Sequence, residues 1–464
     1  MQEKQKEEYL IEEKKPEHLS RSYRLLIYLI LYLISIIIRN DQTIFSEHKK
    51  EKKDEQFNFI IMFCSSIGQL IGCIAFIFIS QIENRKKVAF ICFLLNGIFY
   101  LTYSLTNNNW IFYCSRFFMC FLLHYHKIFI AVWIDQFFMK KHKTLFMYVY
   151  LTNTFTFLIN IIIVPLKESK WYIKGIVFGL IVIILDCLLL LFPEKYFSLK
   201  YSFIGYKIEG KEEFNTNVEN SEKASFFKNE YLNKKENEQG FIKSILKNKV
   251  YIFSVLAYGI YSLINMVLQM HKLNYIMKVD NFDQIFKLKF MFNNRTNSSV
   301  ASFIGNIFGA IYLLCLGGYE NKKSAFYLGL FAIISFFSIS MIAFSDNSLI
   351  FWIGFYLFMS IRLPLLTILM CFIVNCIPNK YKGSGVSLSL LLEITCRVFS
   401  LTIYGKLEDY FGKINPTLPW KIFMSLFYFV VIFSLLSSFY RYKSYKDNDE
   451  IKNDDGVELE DIQK

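Results

Sequence analysis

The sequence has no P-loop, no G-x-S-x-G and no H-E-x-x-H, so the signatures of nucleotide-driven work, serine-type acyl transfer and zinc hydrolysis are missing. It has no C-x-x-C and no Cys/His spacing that would hold zinc. The ten cysteines, Cys64, Cys92, Cys187, Cys315 and Cys396 among them, fall inside apolar blocks or at their ends, and none is paired in a hydrophilic loop. Structural disulfides, a metal site and a cofactor are therefore not expected. His124-Tyr125-His126-Lys127 does not rescue a metal reading, because histidines two apart on a helix point about 200° apart. Nor is a secretory signal expected: Met1 to Ser20 is charged and runs straight into a full-length apolar segment, which reads as a retained span. No lipidation or retention motif stands out at either end.

Acid is also in short supply, with 39 Asp and Glu against 52 Lys and Arg, a net charge of +13. These cations do not gather into one patch. They sit in clusters between apolar blocks, which argues against a nucleic-acid partner and for a membrane topology signal. What the chain has in abundance is apolar surface, 54% hydrophobic with 18% aromatic residues. It comes in blocks of about twenty residues, long enough at about 1.5 Å per residue to cross a hydrocarbon core of about 30 Å. The expected spans are 22–39, 58–80, 88–106, 110–138, 144–166, 171–192, 250–272, 299–318, 325–345, 348–376, 384–405 and 419–440. The fold class read from this is an all-α membrane protein of about twelve transmembrane helices in two six-helix halves.

Between the sixth and seventh spans lies a polar stretch carrying Lys207, Glu209, Lys211, Glu212, Glu213, Lys234, Lys235 and Glu236, which reads as a mostly disordered linker. The organisation is thus a tail (1–21), a first half (22–192), a charged linker (193–249), a second half (250–440) and a second tail (441–464). Connections after even-numbered spans are basic: Arg85-Lys86-Lys87, Lys140-Lys141-His142-Lys143, Lys322-Lys323 and Lys380-Tyr381-Lys382. Those around Asn107 to Asn109 and Asp346 to Asn347 carry no Lys or Arg. The positive-inside rule then places both termini and the linker in the cytoplasm. The loop after the first span breaks the pattern with Lys49, Lys50, Lys52 and Lys53, diluted by Glu47, Glu51, Asp54 and Glu55. The same rule puts the sequons at Asn294 and Asn297 outside.

A repeat ties the halves together. Ser65-Ser66-Ile67-Gly68-Gln69-Leu70-Ile71-Gly72 recurs as Ser302-Phe303-Ile304-Gly305-Asn306-Ile307-Phe308-Gly309, and Glu83-Asn84-Arg85-Lys86 recurs as Glu320-Asn321-Lys322-Lys323. One offset, 65 to 302 and 83 to 320, serves both pieces without a gap. A six-span unit used twice in the same orientation is the parallel-repeat plan of some transporters. The two G-x-x-x-G motifs inside it let helix backbones approach closely.

With these features the chain resembles the major facilitator superfamily over nearly its whole length. The family's loop motif after the second span, Gly-x-x-x-Asp-Arg/Lys-x-Gly-Arg-Arg/Lys, falls on Ile77, Gln81, Ile82, Asn84, Arg85 and Lys86, so only its basic end is present. The family's fourth-span arginine matches Arg116, while the glycines that follow it are replaced by Cys120, Leu122 and His124. Asp41-Gln42-Thr43 with Asn84-Arg85-Lys86 is faintly similar to Spinster-type lysolipid carriers. The resemblance implies a conformational role for Arg85, Lys86 and Arg116, and a central cavity lined by the first, fourth, seventh and tenth spans.

Several polar residues fit such a cavity. On the fourth span Arg116, Cys120, His124, Lys127 and Asp135 fall within an arc of about 100°, and Lys127 is about halfway along, where a charge needs water or a partner. Arg116 and Asp135 also suit snorkelling at the two interfaces. The tenth span offers Arg362, followed by the helix-kinking Pro364. The seventh places Ser254, Tyr258, Tyr261, Asn265 and Gln269 on one stripe, and the first places Tyr28, Tyr32 and Ser35 at helical spacing, as substrate contacts or as interhelical glue. Glu393 and Arg397, four apart on the eleventh span, read as an ion pair or as a coupling acid with its partner. Asp186 on the sixth span has no sequence-local partner and is a second coupling candidate.

The expectation is a monomeric, non-enzymatic secondary transporter working by alternating access, with the bilayer, a small solute and a proton or ion as partners. The positive cavity implied by Lys127, Arg362 and His124 points to an anionic organic solute. Rival readings are a non-transporting receptor or scaffold on the same fold, a Spinster-type lysolipid carrier, and a lipid-acting enzyme using Asp135.

Overall fold

In the computed structural model, residues 20–39, 55–79, 85–106, 108–138, 140–152, 170–197, 247–279, 322–377 and 381–462 are described, with isolated positions between 245 and 315. Most of the linker, the sequons, the rear of the expected fifth span and much of the eighth lie outside them. The first half contributes α1 (Arg21–Arg39), α2 (Glu55–Ile79), α3 (Arg85–Leu105), α4 (Asn109–Phe137), α5 (Lys140–Thr152) and α6 (Trp171–Leu190). The second contributes α7 (Lys249–Lys278), α8 (Lys322–Phe344), α9 (Ser348–Asn375), α10 (Lys382–Phe411), α11 (Leu418–Ser425) and α12 (Phe427–Ile462). Among the described residues ten helical segments are long and apolar enough to cross a membrane. The protein is all-α, with the spans of the two halves built on one plan.

The boundaries differ from the expected ones in two places. α7 and α10 both run past the hydrophobic block, and Lys278 and Glu408 at their ends form an ion pair, so each helix end supports the other. The last span is broken near Leu426 into α11, started by Pro419, and α12, which stays helical to Ile462 through the stretch read as a tail.

The short polar turns act as helix caps. The Asn108 side chain accepts a 2.9 Å hydrogen bond from the Trp110 amide at the start of α4, and Asn347 accepts one of 2.8 Å from Leu349 at the start of α9. α4 and α9 therefore begin alike. They are also covered alike. A Cβ on Gly72 would lie 2.5 Å from the Phe121 carbonyl oxygen of α4, and one on Gly68 would strike that of Phe117. In the second half a Cβ on Gly305 would lie 2.6 Å from the Met359 carbonyl oxygen of α9, and one on Gly309 would lie 2.9 Å from Pro364. Gly68, Gly72 and Gly305 thus do one job in both halves, seating the second-type span on the backbone of α4 or α9, while Gly309 makes room for the Tyr148 and Pro364 side chains.

Within the first half α2 and α3 pack on α4, and α6 packs on α3 and α1. Within the second, α7 packs on α10, α12 and α9, and α8 on α9 and α12. The halves meet where α10 crosses α2 and α4, and where α9 crosses α5 and α4. Exposed Leu29, Phe63, Ile91, Ile184, Phe326, Phe399 and Phe439 form the outer belt, as expected where the solvent is lipid. Basic side chains close helix ends in the first half. Arg24 donates to the Phe137 carbonyl at 2.9 Å, Lys86 to those of Leu190 and Phe192 at 2.9 and 2.6 Å, and Arg85 to Gln136 Oε1 at 2.8 Å.

Candidate functional site

The face at which α6 ends and α7 begins is the linker face, and here the halves are shut against each other. Asp135 near the end of α4 pairs with Lys382 at the start of α10, and its other oxygen lies 3.3 Å from Lys143 of α5. Just beyond Lys382 on α10, Ser384 and Ser387 each donate a 2.5 Å hydrogen bond to a carbonyl of α2, those of Ile77 and Cys73. Burial shows the same closure. Residues Ile128 to Phe137 of α4 and Thr367 to Val374 of α9 are buried all the way round. A helix buried on every side is surrounded by protein.

Beyond this seal, towards the opposite face, a half-enclosed cavity of ≈ 330 Å³ lies between the halves. Its charged lining comes from Arg116 and Lys127 of α4 and from Glu393 and Arg397 of α10, with Gln69 of α2 beside them. Three cations face one carboxylate. Arg397 lies 3.9 Å from Glu393 and donates to Gln69 Oε1 at 2.7 Å, a hydrogen bond that joins the halves, and Arg116 Nε donates to Ser65 Oγ at 3.0 Å. Tyr150 of α5 and Tyr258 of α7 add hydroxyl-bearing rings. Cations kept at this depth are stabilised by nearby anions or water, and a low-dielectric cavity lengthens the reach of their charge.

The expected site residues divide into two groups. Lys127, Arg116 and Glu393 line the cavity, and so does Cys120. His124, one turn before Lys127, is fully buried, with Nδ1 3.4 Å from the Cys120 carbonyl and Nε2 without a hydrogen-bond partner among the described residues. Tyr32 is buried and stacked on Tyr28, and Tyr261 is buried and stacked on Phe358. Asn265 is half-buried and, like Arg362, is not part of the lining; on α9 the lining positions are Leu363, Leu366 and Met370. Asp186 lies on the stripe of α6 that packs on α3, with Gly175 and Gly179, and neither carboxyl oxygen has a hydrogen-bond partner among the described residues. Arg85 and Lys86 stay at the linker face, tying helix ends of the first half. Among the described residues no three His, Cys, Asp or Glu side chains come together as a metal site.

Two features of the site were not read from the sequence. Gln69 was visible as a polar residue inside the repeat, but its partner Arg397 belongs to the other half. Asp135 and Lys382 both stand out in the sequence, yet nothing local to either reports their pairing.

Two halves, with ten spans among the described residues, are thus sealed at one face and parted around a charged cavity, an arrangement of the membrane-transporter class. The family model for the Major Facilitator Superfamily matches residues 25–393, and the chain belongs to that family. No curated protein matches the chain by sequence. Among solved structures, the proton:xylose symporter XylE bound to 6-bromo-6-deoxy-D-glucose is similar, with a TM-score of 0.64 at 12% identity, covering 89% of this chain and 96% of that one. The transporter FucP in the outward conformation has a TM-score of 0.64 at 13% identity, covering 89% and 98%. The human organic anion transporter MFSD10 (TETRAN) has a TM-score of 0.56 at 10% identity, covering 90% and 100%. At such identities the likeness is one of fold.

Proposed function

We propose that this chain is a secondary active transporter of a small anionic organic solute, working by alternating access. The observation that carries the reading is the position of Lys127: a cation in the middle of a span, on the wall of a cavity that the Asp135–Lys382 seal closes at one face. In this reading the solute enters from the face opposite the linker and its charge meets Lys127 and Arg116. The halves then rock, the seal parts and the cavity opens at the linker face. Glu393 is the proposed coupling group, because it shares the cavity with the solute, and a proton on it would release Arg397 to the incoming anion. XylE is a proton symporter, which supports a proton as the coupling ion.

In the same proposal the chain acts as a monomer, its halves span 22–192 and 250–440, and the linker face with both termini is cytoplasmic, as the basic loops favour. The test is uptake of organic anions by the purified chain in proteoliposomes, with and without a pH gradient. Saturable uptake of an anion, reduced in Lys127→Ala, is the expected result. Ligand binding without flux would overturn transport in favour of a receptor on this fold. Uptake restricted to neutral solutes would overturn the anionic substrate.

A further inference from the structure

Resting on the anion-transport reading above, we propose that the solute is amphipathic: an organic anion with a compact apolar body, held with its charge on α4 and its body against α9. The charged groups of the lining are confined to α4 and α10, where they stand among apolar neighbours such as Met119, Leu123 and Leu390. Arg116 and Lys127 come from α4, and Glu393 and Arg397 from α10. α9, which crosses the cavity from the other half, lines it with Leu363, Leu366 and Met370 alone. These three sit at spacings of three and four, one continuous helical stripe. The cation of α9, Arg362, is adjacent in sequence to Leu363 yet absent from the wall, so the stripe is apolar along its whole lining length.

Such a wall selects by what it leaves unsatisfied. A polyhydroxylated or doubly charged solute finds Gln69, Tyr150 and Tyr258 elsewhere in the lining, but the oxygens it turns to α9 would meet leucine and methionine, losing water without gaining donors. An alkyl or aryl body loses nothing there and gains burial. The charged wall sets the matching demand. Until Glu393 takes up a proton, Arg397 is engaged by it and by Gln69, and Arg116 is oriented by its bond to Ser65, so the anion is met first from the α4 side. The volume of ≈ 330 Å³ lies at the low end of about 300–1,000 Å³ for small-molecule sites, which favours a body of a few carbons over a full lipid chain.

The probes are alkanesulfonates, which stay charged and so cross the bilayer only through protein. Butane-, pentane-, hexane- and octanesulfonate are compared with isethionate and glycerol 3-phosphate as hydrophilic anions. Binding to the full chain is measured by calorimetry, and flux in proteoliposomes. Affinity is expected to rise about fourfold for each methylene until the cavity is full, and then to level off. Isethionate and glycerol 3-phosphate should bind at least tenfold more weakly than hexanesulfonate. Leu366→Asn should flatten the dependence on chain length, and Lys127→Ala should weaken every sulfonate. The wild-type series decides the matter even if Leu366→Asn fails to fold. If hydrophilic anions are bound and carried as well as hexanesulfonate, the amphipathic assignment falls and anion transport stands. If affinity keeps rising through octanesulfonate and beyond, the compact body is wrong and a lipid chain is indicated. If no anion binds or moves, the anionic-substrate reading falls and this inference with it.

Discussion

α4 and α9 stand in matching places. Each starts at an asparagine cap on the face opposite the linker, each is crossed at backbone contact by a glycine-bearing span, and each is buried all round at the seal. Their cavity surfaces nonetheless differ: α4 adds Arg116 and Lys127 to Met119, Cys120 and Leu123, whereas α9 presents only Leu363, Leu366 and Met370. The contrast separates two kinds of constraint. Glycine contacts and caps set where a backbone runs, and both halves keep them. What the backbone presents to the solute is free to differ, and a site with unlike walls recognises an asymmetric ligand more sharply than one with like walls.

The largest effects should come from breaking what the halves share. Gly72→Leu or Gly309→Leu places a branched side chain against the backbone of α4 or against Tyr148 and Pro364, and overpacking of this kind costs about 1–3 kcal/mol or more. Both variants should show a large loss of folded protein on fluorescence-detected size exclusion, and wild-type yield and flux from both would refute the packing argument. Next come the features in which the halves differ. Lys127→Ala should reduce anion uptake at least tenfold with folded protein still abundant, and Lys127→Arg should keep more activity than Lys127→Ala. Arg362→Ala, off the lining, should change uptake by no more than about threefold, since about 1.4 kcal/mol is needed for a tenfold effect. Equal losses at both positions would erase the difference drawn between α4 and α9.

A third experiment sets the cavity acid against the packed one. Glu393→Gln should abolish accumulation driven by a pH gradient while leaving solute exchange, whereas Asp186→Asn, on the α3–α6 interface, should leave the gradient response in place. The reverse result would move coupling out of the cavity. The smallest effect is expected at Lys278–Glu408, where both side chains are about a third exposed and an ion pair contributes about 0–1 kcal/mol. Glu408→Gln should shift the melting temperature by only a degree or two in a thermal scan.

Much of this arrangement was legible in the sequence. Spans follow from apolar length, and the two halves follow from a repeat whose glycines and charges stay in register. Lys127 was legible because a charge in mid-span is costly wherever it points. Arg362 was not legible in the same way. One residue along a helix is a turn of about 100°, so Arg362 and Leu363 face different neighbours, and periodicity fixes their relative directions without fixing which one meets the cavity. The Asp135–Lys382 pair joins residues far apart in the chain, and only the meeting of α4 with α10 brings them together. Gln69 shows the intermediate case: its polarity was visible, and its partner Arg397 was set by tertiary contact.

Asp135 has a second cation, and this bears on how fast the protein can change shape. Lys382 belongs to the opposite half, but Lys143 sits on α5 beside α4 and travels with Asp135. If the seal parts as proposed, Asp135 would lose Lys382 of the other half and keep Lys143 of its own. The carboxylate need not pass through a stage in which it is both buried and alone, the situation that makes breaking an interior ion pair cost about 3–5 kcal/mol. In the proposed rocking motion Lys143 would serve as a standby partner and lower the barrier between the two states. Replacing it with Met should slow the interconversion more than it displaces the resting balance, a kinetic signature that time-resolved fluorescence across the seal would register.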